Sequence, residues 1–124
     1  MLKALLFVGI GGGVGSILRY LASVYINKHF PHKFPFVTFA VNILGCLLIG
    51  IFLGMIDQKE LNNQNLKFLM ITGFCGGFTT FSAFATENYR LIQTGNLNIL
   101  LLYIISSILL GVLAVWAGIM VFKK

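Results

Sequence analysis

The sequence contains few charged residues: Asp, Glu, Lys and Arg together make up 10% of its 124 residues. A soluble domain carries about 25% of such residues, so this composition argues against a soluble fold. Acidic residues are the scarcest, with three in the whole chain, and the first of them is Asp57. The apolar fraction of 58% instead predicts an integral membrane protein that forms a single domain over residues 1–124.

Other missing patterns exclude several classes of function. Cys46 and Cys75 lack Cys-x-x-Cys spacing and are interpreted as small apolar fillers. His29 and His32 lie in a predicted loop, whereas a haem-binding anchor needs axial histidines within its helices. The basic residues form no run, so no nucleic-acid surface is expected. No acid–base pair or activated nucleophile is evident either, so the protein is not expected to be an enzyme.

Four apolar segments are long enough to cross a bilayer, whose hydrocarbon core of about 30 Å needs about 20 helical residues. They cover roughly residues 4–26, 34–56, 66–92 and 98–122. The first contains the pairs Gly9/Gly13 and Gly11/Gly15, a spacing that lets two helices approach closely. It has no cleavage site and is expected to remain as a spanning helix. The sequence therefore predicts an all-α membrane protein with four transmembrane helices.

Four spans place both termini on one side of the membrane, and the bias in Lys and Arg between the two sides normally sets the orientation. Because that bias is weak here, the chain is predicted to insert both ways and to form an antiparallel, dual-topology homodimer. A single orientation fixed by other interactions is the alternative. The terminal side carries Lys3, Lys59, Lys67, Lys123 and Lys124, and the opposite side carries Lys28, Lys33 and Arg90, with Arg19 near it.

The third span is rich in glycines and hydroxyl side chains, which is unusual for a helix that faces lipid. Its glycines each cost about 1 kcal/mol of helix propensity, and its hydroxyl side chains, including Thr80 and Ser82, need partners at that depth. We therefore predict a broken third helix. Such breaks are tolerated where protein or water satisfies the freed backbone groups, and they often bind ions. The segment is Gly73-Phe74-Cys75-Gly76-Gly77-Phe78-Thr79-Thr80-Phe81-Ser82-Ala83-Phe84.

Three polar residues inside the spans are candidates for an ion pathway. Asn42 lies near the middle of the second span, and its amide N–H groups can donate to an anion or hold two helices together. Arg19 lies in the first span and Glu87 in the third. Arg19 could extend to the headgroups, pair with Glu87, or attract anions into a vestibule. The sequence leaves these alternatives open.

Aromatic and hydroxyl side chains add to this set. Phe81 and Phe84 are neighbours on a helix face, and ring edges carry the positive end of the aromatic quadrupole. Edges turned inward could face an anion, although most membrane phenylalanines contact lipid or the protein core. Tyr103 and Ser107 share a face of the fourth span, where they line a polar track or bond to neighbouring helices.

On these residues the sequence resembles the Fluc (CrcB) family of fluoride channels over nearly its whole length. Residues 12–20 are similar to the family's Gly-Gly-x-Gly-Ala-x-x-Arg-Tyr, and residues 37–45 to Gly-Thr-Leu-x-Val-Asn-x-x-Gly. Residues 73–84 match Gly-Phe-x-Gly-Gly-x-Thr-Thr-Phe-Ser-Thr-Phe almost letter for letter. Three motifs in the same order on four short helices make the resemblance highly specific.

The resemblance implies a multi-pass protein of the bacterial inner membrane that passively exports cytoplasmic fluoride through two pores in an antiparallel homodimer. It implies that the Gly76 and Thr79 carbonyls of both subunits hold a central, structural sodium ion, since carbonyl oxygens suit a hard cation. Arg19 and Glu87 would lie at the vestibule. The pore itself would be lined by Asn42, Thr80, Phe81, Ser82, Phe84, Tyr103 and Ser107.

Two positions depart from the family pattern. Ala83 replaces the common threonine between the two phenylalanines, so one hydroxyl of the polar track is missing. Val37 replaces the glycine before Thr38. The closest alternative class is a small proton-coupled multidrug exporter, which is also a four-helix, dual-topology dimer. Those exporters carry an acidic residue in the first helix, whereas residues 4–26 contain none.

Overall fold

The structure is a computed structural model that describes residues 1–29, 33–57 and 63–122. Within these ranges the chain is helical, with short connections between the helices. In chain order the elements are α1 (Leu2–His29), α2 (Phe36–Asp57), α3 (Gln64–Lys67), a π-helical segment (Phe68–Cys75), α4 (Gly76–Phe78), α5 (Phe81–Gln93) and α6 (Leu97–Met120).

Four stretches are long and apolar enough to cross a membrane: Leu2–His29, Phe36–Ile56, Gln64–Gln93 and Leu97–Met120. This confirms the predicted all-α architecture with four helices suited to membrane spans. The third stretch contains α3, the π-helical segment, α4 and α5 in succession. Four residues used in the sequence interpretation, His32, Lys59, Lys123 and Lys124, lie outside the described residues.

The helices pack in two pairs, α2 along α6 and α1 along the π-helical segment and α4. Glycines allow the backbones in each pair to touch. A Cβ atom at Gly50 would overlap the Val115 carbonyl of α6, and one at Gly118 would overlap the Leu47 carbonyl of α2. Close backbone approach through small residues is the usual way in which membrane helices associate.

Replacing Gly11 or Gly15 with alanine is expected to lower stability by about 1–3 kcal/mol. A Cβ atom at Gly11 would overlap the Leu69 carbonyl, and one at Gly15 would overlap the Phe74 carbonyl, so backbone would have to move. Thermal unfolding of the detergent-solubilised protein measures the loss. The matched control is Gly13→Ala, because a Cβ atom there meets no atom within 4 Å. Equal unfolding temperatures for Gly11→Ala and Gly13→Ala would contradict the close packing of α1.

An aromatic cluster fixes one end of the fold. Phe34, Leu91, Leu100 and Tyr103 are buried together, and Phe84 packs against them. The Phe34 ring meets the Tyr103 ring edge-on at a centroid distance of 5.3 Å, a favoured geometry for aromatic pairs. The cluster therefore holds α5 and α6 to the chain segment that precedes α2.

Candidate ion pathway

The third span changes conformation at Thr79 and Thr80, between α4 and α5. Both residues are extended, with ψ angles of 160° and 122°. The Thr79 backbone N–H and Oγ1 both donate to the Cys75 carbonyl, at 3.0 Å and 2.8 Å, which completes the end of α4. The Thr80 Oγ1 accepts a bond from the Ala83 N–H at 3.2 Å and so caps the start of α5. The Thr79 hydroxyl thus bonds at the end of α4, and the Thr80 hydroxyl bonds at the start of α5.

Asn42 bonds to both polar groups of the Thr80 backbone. Its Nδ2 donates to the Thr80 carbonyl at 3.1 Å, and its Oδ1 accepts from the Thr80 N–H at 2.8 Å. The side chain therefore replaces hydrogen bonds that a continuous helix would have supplied. An amide carries two N–H donors, so one donor of Asn42 is left after this pairing. Asn42 thus links α2 to the third span, as one of its two alternatives predicted, and its second N–H remains for a further partner.

These bonds also occupy the two N–H groups that would donate to the carbonyls of Gly76 and Thr79 in a regular helix. In a regular helix the Thr80 N–H would bond to the Gly76 carbonyl and the Ala83 N–H to the Thr79 carbonyl. Here those N–H groups bond to Asn42 Oδ1 and Thr80 Oγ1 instead. Gly76 is also exposed, and a Cβ atom there would meet nothing within 4 Å. Both residues predicted to hold a cation thus have a carbonyl whose usual donor is bound elsewhere.

A groove of about 320 Å³ brings together five of the residues predicted for the pore. Phe81 is 79% exposed, and its ring centroid lies 6.0 Å from that of Phe84. We call this feature the phenylalanine groove. Its lining consists of the predicted residues Asn42, Thr80, Phe81, Phe84 and Ser107, together with Thr79, Cys46, Ile49 and Ile108.

The other two pathway candidates, Tyr103 and Ser82, are not part of the lining of this groove. Tyr103 is fully buried behind Phe84, with ring centroids 4.9 Å apart. Ser82 is exposed, and its hydroxyl lies 3.2 Å from the Thr80 hydroxyl. The Ser107 Oγ is buried and has no hydrogen-bond partner among the residues that the structure describes. Ser107 thus brings an unsatisfied hydroxyl to the phenylalanine groove.

Arg19 and Glu87 line a second cavity of about 330 Å³, which we call the arginine cavity. Glu87 accepts hydrogen bonds from the Thr38 hydroxyl at 2.8 Å and from the Tyr103 hydroxyl at 2.9 Å. Arg19 Nε donates instead to the Gly77 carbonyl, at 3.1 Å. The two side chains thus share a cavity, and within the described ranges each is bonded to other groups rather than to its opposite charge.

Thr80 lines both the arginine cavity and the phenylalanine groove. The residue whose backbone N–H and carbonyl both bond to Asn42 therefore borders both spaces. Glu87 also lines a third cavity of about 570 Å³ together with Lys33 and Arg90. The polar residues of the four spans thus border a series of neighbouring spaces.

Sequence reasoning did not identify all the residues of these spaces. Cys46 and Ile49 line the phenylalanine groove, and their positions four and seven residues after Asn42 would have placed them on its helix face. Thr38 lies four residues before Asn42, but the sequence did not predict its bond to Glu87. Nothing in the sequence indicated that Ile108 would also line this groove.

Comparison with known proteins identifies the family. Residues 6–119 match the family described as "CrcB-like protein, Camphor Resistance (CrcB)". The chain belongs to the CrcB family. A relative named "Fluoride-specific ion channel FluC" from Flavobacterium psychrophilum is 46% identical over 123 residues, or 99% of each chain. Relatives with the same name are 48% identical in Azobacteroides pseudotrichonymphae, over 95% of this chain and 94% of the relative, and 43% identical in Campylobacter jejuni, over 99% and 100%.

The predicted membership of the CrcB family is thus confirmed over nearly the full length of the chain. The two departures from the CrcB pattern, Val37 and Ala83, both line the arginine cavity. The Ala83 backbone still bonds to the Thr80 hydroxyl, so the cap of α5 does not need a side-chain hydroxyl at position 83.

Proposed function

We propose that this chain forms a fluoride-specific ion channel of the bacterial inner membrane, through which cytoplasmic fluoride leaves passively. The observation that carries the proposal is its similarity, over nearly the full length, to relatives named for that activity. Those relatives are ion channels and not enzymes, which agrees with the lack of an acid–base pair or nucleophile arrangement in this sequence.

The proposed path runs from the arginine cavity, past Thr80 and Asn42, into the phenylalanine groove. Fluoride is small and strongly hydrated, so a narrow path must replace its water with hydrogen-bond donors. The second N–H of Asn42 and the Ser107 hydroxyl are donors at the groove. The ring edges of Phe81 and Phe84 add positive potential without a full charge that would hold the anion too tightly. Arg19 would attract anions to the entrance.

The proposed assembly is an antiparallel, dual-topology homodimer with two pores. The phenylalanine groove lies at the surface of the single chain, and Phe81 on its wall is largely exposed. A second, inverted copy placed against this surface would close the groove into a path. A two-fold axis repeats every contact, so the same contact would close a second groove on the partner. These features support two pores in one dimer.

A structural sodium ion on the two-fold axis fits the conformation at Thr79 and Thr80. The Gly76 and Thr79 carbonyls would hold it, because the bonds made by Asn42 and by the Thr80 hydroxyl take away their usual donors. Two carbonyls from each subunit give four hard oxygen ligands, which suit such a cation. The bound ion would supply positive charge that ties the two broken helices together, rather than being transported.

The test is fluoride release from proteoliposomes, followed with a fluoride electrode. Vesicles loaded with fluoride and containing the protein are expected to empty passively without a proton gradient, while chloride leaves far more slowly. Protein-free vesicles give the background leak. Release that depends on an imposed proton gradient would favour the alternative of a proton-coupled exporter, and release at the background rate would contradict both functions.

A further inference from the structure

Arg19 reaches the end of α4 because of the helix face on which it lies. Gly11, Gly15 and Arg19 recur every four residues and so share one face of α1. At Gly15 this face touches the backbone of α4, since a Cβ atom there would meet the Phe78 nitrogen. One turn further along, Arg19 Nε donates to the Gly77 carbonyl at 3.1 Å.

The bond from Arg19 acts on a segment that has lost its helical bonds. The Gly77 carbonyl would ordinarily accept from the Phe81 N–H, but the helix is interrupted at Thr79 and Thr80. A bond from a charged donor is roughly twice as strong as a neutral one. Asn42, on α2, bonds to the N–H and the carbonyl of Thr80. Residues 77 and 80 are therefore each anchored to another helix.

We propose that Arg19 is a positioning residue for the sodium site, acting through the Gly77 carbonyl. This inference rests on the proposed function, in which the carbonyls of Gly76 and Thr79 hold the ion. Because the peptide group is planar, a fixed Gly77 carbonyl also fixes the Phe78 nitrogen, and it restricts the peptides on either side. The bond keeps the Gly77 oxygen toward α1 and leaves the neighbouring carbonyls in a defined arrangement for the cation.

The contacting atom allows the donor and the charge of Arg19 to be tested separately. Nε of arginine is four bonds from Cα, and the amide nitrogen of glutamine is also four bonds from Cα. R19Q therefore keeps a donor for the Gly77 carbonyl and removes the positive charge. R19M has a similar length and removes both. A role in attracting anions depends on the charge, whereas a role in positioning the peptide depends on the donor.

The experiment measures how sodium raises the thermal unfolding midpoint of the purified protein in detergent, with choline replacing sodium at constant ionic strength. A ligand that binds only the folded state raises its stability in proportion to ln(1 + [L]/Kd). We expect R19M to need about ten times as much sodium as the original protein for the same rise in the unfolding midpoint, the effect of losing a bond from a charged group. R19Q is expected to need at most about three times as much sodium as the original protein, because its amide retains the bond to the Gly77 carbonyl.

Ser23→Ala is the matched control, because Ser23 lines the same cavity but its hydroxyl donates only to the Tyr20 carbonyl within α1. It is expected to keep the original sodium dependence. Original sodium dependence in R19M, or equal weakening in R19M and R19Q, would overturn the positioning role. R19M that folds only at high sodium supports it, and R19M that is unfolded at every sodium concentration counts against it. An unsubstituted protein that shows no sodium dependence would remove the sodium site of the proposed function itself.

Discussion

Asn42→Leu is expected to reduce fluoride efflux by about 10- to 100-fold and to lower the thermal stability of the protein. The efflux loss corresponds to one hydrogen bond with an anion, worth about 1.5–3 kcal/mol. The stability loss follows because leucine leaves the N–H and carbonyl of Thr80 without the bonds that Asn42 makes at 2.8 Å and 3.1 Å. Each unsatisfied group costs about 1–3 kcal/mol. Efflux from proteoliposomes and unfolding in detergent measure the two effects.

Asn88→Leu is the matched control, since it also replaces a buried amide in the third span. The Oδ1 of Asn88 has no partner among the residues that the structure describes. Its replacement is therefore expected to leave stability unchanged or slightly higher, with normal efflux. A stability loss with normal efflux in Asn42→Leu would make Asn42 a link between helices only. Unchanged stability and efflux would contradict both roles.

The boundaries of the four spans were predictable because they follow from one physical quantity. The thickness of the hydrocarbon core sets the length of each apolar run, and the charged and turn residues end it. The second run was predicted at 34–56 and the helix covers Phe36–Asp57; the fourth was predicted at 98–122 and α6 covers Leu97–Met120. The π-helical form of Phe68–Cys75 has no comparable signal, because it is a local change in hydrogen bonding within an equally apolar run.

The partners of the polar side chains were the part that the sequence left open. Arg19 had three candidate roles, and its Nε bonds to a backbone carbonyl, Gly77, that none of them named. Glu87 bonds to Thr38 and Tyr103 on two other helices. Such choices depend on how each helix is rotated and shifted against its neighbours. Hydropathy reports that a segment spans the membrane, but a uniformly apolar run says little about that rotation.

At Thr79 and Thr80, the composition of the segment was informative, but the hydrogen bonds that hold its backbone could not be predicted from it. The glycines and hydroxyls predicted a broken third helix, and the family motif indicated which residues to consider. The sequence did not indicate that the amide of Asn42 would bond to both the N–H and the carbonyl of Thr80. That pairing needs α2 and the third span to be in one particular register, which is a property of the packed helices rather than of either segment.

Phe81→Ile and Phe84→Ile are each expected to reduce fluoride efflux by about tenfold. Contacts between two aromatic rings are worth up to about 1.5 kcal/mol beyond their buried area, and we take the contact of a ring edge with an anion to be of the same order. A difference of about 1.36 kcal/mol corresponds to a tenfold change in rate. Isoleucine is similarly apolar but has no positive ring edge to face an anion. Efflux is measured in proteoliposomes with equal amounts of folded protein.

Phe74→Ile is the matched control for the loss of a ring. Phe74 is not part of the lining of the phenylalanine groove; it lines a separate apolar cavity with Leu48 and Phe52. Its replacement is expected to leave efflux normal. Normal efflux in both Phe81→Ile and Phe84→Ile would remove the two rings from the pathway, and an equal loss in Phe74→Ile would show that the effect is not particular to the groove.

The two phenylalanine variants are expected to differ in stability, and this difference makes Phe81 the cleaner test. The Phe84 ring packs against Tyr103 at 4.9 Å and belongs to the aromatic cluster. Its replacement therefore also disturbs the hydroxyl that donates to Glu87. Phe81 is 79% exposed in the single chain, so the folding of a subunit depends little on its ring. A loss of efflux in Phe81→Ile without a loss of stability or of the dimer would thus reflect the passage of the anion rather than the fold or the assembly.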